Sequence, residues 1–155
     1  MTRFTGVLLT AAIVVLGLGL VSIGPRFMGG YGVEPTSSVT LGQVIYAERC
    51  AGCHGADLAG RPNWKSPLPS GRMPAPPHDA SGHTWHHPDN VLFRITKEGP
   101  AAVVGGSYGS DMPGFAGLLA DDEIRAVLAF IKSTWPERAR RYQAEMSRRE
   151  RENTR

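Results

Sequence analysis

Cysteine occurs at only two positions of this chain, Cys50 and Cys53, and a histidine follows the second at once. Cys50-Ala51-Gly52-Cys53-His54 has the spacing C-x-x-C-H. Two thiols separated by two residues can both reach one edge of a haem and add to its vinyl groups. The next side chain, an imidazole, is then held beneath the iron. Other chemistries for the same residues are less well served. A thioredoxin-like redox pair expects a βαβ setting, for which the chain has no pattern. A structural zinc site needs a second pair of ligands, which only His83, His86 and His87 offer. A disulfide across this short gap would be strained. The expectation is one covalent haem c, attached through Cys50 and Cys53 and ligated by His54.

A sixth iron ligand has to come from elsewhere. Met73, Met112 and Met146 follow the motif. Met112 sits in Asp111-Met112-Pro113-Gly114-Phe115, between two expected helices, where a loop can fold back over the opposite haem face. A thioether is a soft ligand that favours ferrous iron and raises the reduction potential. Met112 is therefore the expected axial ligand, with His78, His83, His86 and His87 as rivals. Those four histidines crowd one loop with Met73. Imidazole and thioether both suit copper, which makes the loop a candidate copper site. The plainer alternative is that the histidines bond haem propionates and cap the helix that starts at Pro88.

The elements that must position these groups read as helices. From Val39 to Arg49, Gly42, Ile45, Tyr46 and Arg49 recur at helical spacing, and the segment from Thr36 to Thr40 offers capping residues. From Gly55 to Pro88 the chain is rich in Pro and Gly, and so long a loop needs a large partner to pack against. Pro88 to Glu98 reads as a helix closed by Gly99, and Pro100 to Gly117 as loop. Asp121 to Thr134 reads as the strongest helix. Acids stand at its amino end, and Ile124, Val127, Leu128 and Ile131 form an apolar face. Residues 136–155 read as a basic charged tail, either helical or frayed. Strand signals are almost absent, so the fold class is all-α.

Residues 7–24 carry no charge and, as a helix, span about 27 Å, close to the hydrocarbon core of a bilayer. They read as a transmembrane signal anchor after a short cytoplasmic segment, residues 1–6. A removed signal peptide is the alternative, though Pro25 would then follow the cut. Residues 25–38 read as a flexible linker. The formal net charge of +3 is a property of the ends: residues 31–135 are net negative, and residues 136–155 hold seven arginines and four glutamates. No basic motif sits on a folded scaffold, so nucleic acid is not an expected partner. No nucleophile with a paired base and no phosphate loop appears, so no enzyme activity is expected.

Over residues 39–135, this order of features resembles a class I c-type cytochrome. It has a helix with Gly and an aromatic, CxxCH, a Pro-rich loop, a short helix, Met-Pro-x-Phe and a last helix. The resemblance implies a one-haem electron carrier with His/Met ligation. It implies a crossing of first and last helices at Gly42, Tyr46 and Phe130, and a Pro76 or Pro77 carbonyl on the proximal histidine. It makes Trp85 a candidate propionate contact. It also implies haem attachment outside the bacterial cytoplasm, hence an inner-membrane protein with its haem domain in the periplasm. The expected partners are membrane redox complexes as donor and acceptor. The alternatives are a haem subunit of a larger oxidoreductase and a copper-handling or sensing cytochrome.

The CxxCH reading has a direct chemical check. Denatured protein should keep its haem through acid–acetone extraction and weigh about 0.6 kDa more than the bare chain. Replacing both Cys50 and Cys53 by Ala should abolish the retention, and extraction of free haem from the unmodified protein would contradict it.

Overall fold

The computed structural model describes residues 35–154, with side chains from Ser38 onward. The expected anchor over residues 7–24 and most of the linker lie outside the described residues. Among the described residues the regular structure is all helical: α1 Pro35–Arg49, α2 Ala51–His54, α3 Asp89–Glu98, α4 Pro100–Val104, α5 Asp121–Ser133 and α6 Glu137–Asn153, with a 3₁₀ turn at Thr84–His86. None of these helices is long and apolar enough to cross a membrane.

Helix α1 begins at Pro35, four residues before the expected start. Proline suits the first turn, where its missing N–H has no partner to lose. The last residues of the expected linker are thus helical. Helix α3 ends where anticipated, at Gly99, whose φ of +89° suits a residue without Cβ. The stretch after it was expected to be loop but opens with α4, again with proline at its start. Helix α5 begins with three acids, and Glu123 accepts a hydrogen bond from the Ala120 N–H at 2.7 Å. That bond satisfies one of the orphan donors of a helix start.

The core gathers Ile45, Tyr46, Leu92, Val127, Ile131 and Trp135 from α1, α3, α5 and the residues after α5. Its closest approach is the crossing of α1 and α5. A Cβ on Gly42 would collide with the Ala126 carbonyl and come within 3.0 Å of the Phe130 Cβ. One turn along, the Tyr46 and Phe130 rings meet at 5.3 Å between centroids. The Gly–aromatic crossing implied by the resemblance is present.

Helix α6 is no frayed tail. Its Gln143 and Ser147 are buried against the start of α3. Ser147 Oγ accepts the Asp89 N–H at 2.9 Å, capping α3 from a different helix. Gln143 Nε2 donates to Asp89 Oδ1 at 2.8 Å and Ser147 Oγ at 3.0 Å. Burial works to raise the Asp89 pKa, but hydrogen bonds from Lys132 and Gln143, with the Lys132 charge, outweigh it and hold the carboxyl below its ordinary range.

Gly42→Val should show how much rests on the crossing. Backbone blocks the new side chain, so the overpacking should cost about 1–3 kcal/mol or more. The melting temperature of the haem-loaded variant should fall, and an unchanged melting temperature would mean that the helices can separate without loss.

Candidate haem-attachment site

The last turn of α1 delivers Cys50, whose N–H bonds the Tyr46 carbonyl at 2.9 Å. The chain then tightens into α2, with the N–H groups of Cys53 and His54 both returning to the Cys50 carbonyl at 3.1 and 3.0 Å. Gly55, at φ +81°, ends the turn. Both thiols are free, Cys50 half-buried and Cys53 exposed. Burial, helped by the neighbouring Cys53, pushes the Cys50 thiol up to about 11, so it is held protonated.

His54 is buried, and its Nδ1 lies 2.8 Å from the Pro76 carbonyl. A carbonyl can only accept, so Nδ1 carries the hydrogen and Nε2 keeps its lone pair. Burial lowers the His54 pKa, with the Pro76 bond working against it, and the ring is neutral. That is the protonation state a metal needs. Of the two prolines anticipated for this bond, Pro76 makes it.

The Pro76 carbonyl is aimed by a stitched pair of loop segments. The Gly60 N–H bonds the His54 carbonyl at 2.8 Å, Arg61 N–H bonds Ala75 at 2.9 Å, and His78 N–H bonds Leu58 at 2.8 Å. Leu58 adopts φ +64°, a left-handed conformation that costs a non-glycine residue about 1–2 kcal/mol. Its carbonyl thereby faces His78. Gly60 is also left-handed, at φ +70°, and a Cβ there would stand 2.5 Å from Pro77 N and 2.6 Å from the Pro76 carbonyl carbon. Arg61 further ties this loop to the motif by donating to the Gly52 carbonyl at 2.9 Å.

Met112 is partly buried in the loop between α4 and α5. That loop is pinned to the end of α3 by Phe115 N–H to Thr96 and Ala116 N–H to Lys97, both at 3.0 Å. An ion pair between Arg72 and Asp111 joins it to the Pro-rich loop. Met73 is exposed, and Met146 belongs to α6.

Each loop histidine packs on another ring. His78 stacks on His54 at 3.9 Å between ring centroids. His83 stacks on Trp64, while His86 packs against Trp85 and Tyr142. His87 meets His83 edge-on at 5.4 Å. Among the described residues no three His, Cys, Asp or Glu side chains converge on a point where a metal ion could sit. Of the four histidines considered for copper, His83 and His87 lie together, while His78 and His86 pack on His54 and Trp85. Trp85 donates its indole N–H to the Ala80 carbonyl at 3.3 Å, and its ring packs edge-on to Tyr142 of α6.

Sequence reasoning missed Gly60 and the His54–His78 stack. No local signal marks either, since both depend on a loop returning over the motif.

Gly60→Val tests the aiming of Pro76. The added side chain should destabilise the haem-loaded protein by about 1–3 kcal/mol. It should also speed solvent exchange of the His54 Nδ1 proton in the nuclear magnetic resonance spectrum of the reduced form. Exchange as slow as in the unmodified protein would show that the carbonyl does not depend on Gly60.

The donor set fits haem c: two free thiols on one short turn, followed by a neutral imidazole whose Nδ1 is already engaged. A family model described as Cytochrome c matches residues 39–135. Neither the curated proteins nor the solved structures give a match. With most of its length matched, the chain belongs to the cytochrome c family, as a class I c-type cytochrome with covalently bound haem c.

Proposed function

We propose that this chain is a membrane-tethered electron carrier whose haem iron is held by His54 and Met112 and attached through Cys50 and Cys53. Family membership implies haem-based electron transfer. The axial pair, the carrier role, the anchor over residues 7–24 and the periplasmic placement of the haem domain are our reading. So are membrane redox complexes as donor and acceptor.

The observation that carries it is the 2.8 Å bond from His54 Nδ1 to the Pro76 carbonyl, which leaves Nε2 as the one free donor atom of a buried, neutral ring. Haem c supplies one-electron exchange between ferric and ferrous iron. The chain's residues do the rest. Pro76 polarises the imidazole and fixes its tautomer, as outer partners of metal-bound histidines do. Met112 supplies a soft sulfur from a loop that α3 and Arg72 hold in place. Two protein ligands leave no open position for a small substrate, which favours a carrier over an enzyme. A tether would raise the effective concentration of the domain near its partners.

One observation favours a second reading, a haem subunit of a larger oxidoreductase. Helix α6 lies beyond the matched domain and exposes Arg138, Arg141 and Arg151. Purification in mild detergent separates the two, since a subunit should bring its partners along in fixed ratio.

Met112→Ala should open the sixth iron position, allow carbon monoxide to bind the reduced protein, and lower the potential by on the order of 0.1 V or more. Met73→Ala and Met146→Ala should do neither. If Met73→Ala gave the loss and Met112→Ala did not, the ligand assignment would be wrong.

A further inference from the structure

His78 occupies a position that its chemistry does not explain by packing alone. Its ring lies flat on the His54 imidazole, 3.9 Å between centroids with 17° between planes. Tyr46 meets the same ring edge-on at 5.9 Å. The backbone on either side of the ring is fixed. His78 N–H donates to the Leu58 carbonyl at 2.8 Å, and the His78 carbonyl accepts the Trp135 indole N–H at 2.7 Å. The Nδ1 atom of His78 is buried and has no hydrogen-bond partner among the described residues. A buried polar atom left unpaired is unfavourable, and a leucine would fill the slot without that cost. The imidazole therefore brings something that a hydrocarbon lacks, and the feature in contact with the site is its flat face.

A metal-bound imidazole can rotate about its bond to the metal. The Pro76 carbonyl restrains that rotation at one atom of His54. A second ring stacked on its face restrains the whole plane, because tilting or turning either ring breaks the contact. The chain of supports is short. Trp135, after α5, holds the His78 carbonyl, and the His78 ring holds the His54 ring.

We propose that His78 is a positioning residue for the proximal ligand, setting the orientation of the His54 ring plane by stacking on it, with Trp135 as its support. This rests on the reading of His54 as an iron ligand. The orientation of an axial imidazole governs how unpaired spin spreads over the four pyrroles of a ferric haem. It therefore governs the order of the paramagnetically shifted haem methyl resonances and the rhombicity of the electron paramagnetic resonance signal.

The test uses the full-length, haem-loaded protein in its oxidised form and compares the unmodified chain with His78→Leu, His78→Phe and Trp135→Phe. Leucine fills the volume but lacks a flat face, so His78→Leu should re-order the methyl resonances and change the rhombicity. Phenylalanine restores the flat face without nitrogen, so His78→Phe should return both towards the unmodified pattern. Trp135→Phe keeps the ring and removes the N–H, so it should shift the methyls in the same sense as His78→Leu, by less. If His78→Leu does not accumulate with haem, the Trp135→Phe and His78→Phe comparison decides on its own. A methyl order and rhombicity identical in the unmodified chain and every variant obtained would overturn the proposal. So would a His78→Phe pattern as altered as that of His78→Leu. The His54 reading fails separately: in that case the unmodified protein would lack hyperfine-shifted resonances from a bound histidine ring.

Discussion

Helices α1 and α5 meet at Gly42 with no room for a side chain between them, and the rest of the site follows from that closeness. Helix α1 carries CxxCH at its end, so fixing α1 against α5 fixes where Cys50, Cys53 and His54 emerge. The Tyr46–Phe130 contact one turn later locks the rotation of α1 about its own axis. The Tyr46 hydroxyl then donates to the Gly55 carbonyl at 3.0 Å, just past the motif, so one residue serves both the core and the turn. Burial pushes its phenol pKa up, which keeps that hydroxyl a donor.

The surroundings of His54 Nδ1 are built from loop rather than helix and are held by backbone hydrogen bonds. Backbone hydrogen bonds between residues 58–61 and 75–78 make a small stitched unit around the Pro76 carbonyl. Thr84 and Gly82 close the other side of it. Thr84 Oγ1 donates to the Pro77 carbonyl at 3.3 Å, and a Cβ on Gly82 would collide with the same carbonyl. Helix α6 then braces the end of the loop through Gln143, which reaches the His87 carbonyl at 3.3 Å. A segment outside the matched family domain thus braces the far end of the Pro-rich loop.

What could be read from the sequence was what is written locally. CxxCH is complete within five residues. Helix α3 announces its end by Gly99, and α5 its start by Asp121, Asp122 and Glu123. What could not be read depends on contacts between distant segments. Gln143 and Ser147 look like part of a solvated charged helix until the start of α3 is placed beside them, because their polar partners are Asp89 and the His87 carbonyl. The histidines from His78 to His87 look like a metal cluster because they are close in sequence. Only His83 and His87 meet, and the other ring partners, Trp64, Trp85, Tyr142 and His54, could not be supplied by the spacing. The Ala80 and Tyr142 contacts of Trp85 likewise join segments that the sequence alone does not bring together. Pro76 and Pro77 are equivalent in the sequence, and only the folded loop, stitched to residues 58–61, shows that the Pro76 carbonyl faces His54.

The proposed ligation pairs His54, preset by the Pro76 carbonyl, with the sulfur of Met112. The optical spectrum of the oxidised, haem-loaded protein tests that pairing most directly, in the far red where sulfur bound to ferric haem iron gives a weak band. The account predicts a low-spin spectrum with that band present. A high-spin spectrum, or a low-spin spectrum without the band, as two histidine ligands would give, contradicts it.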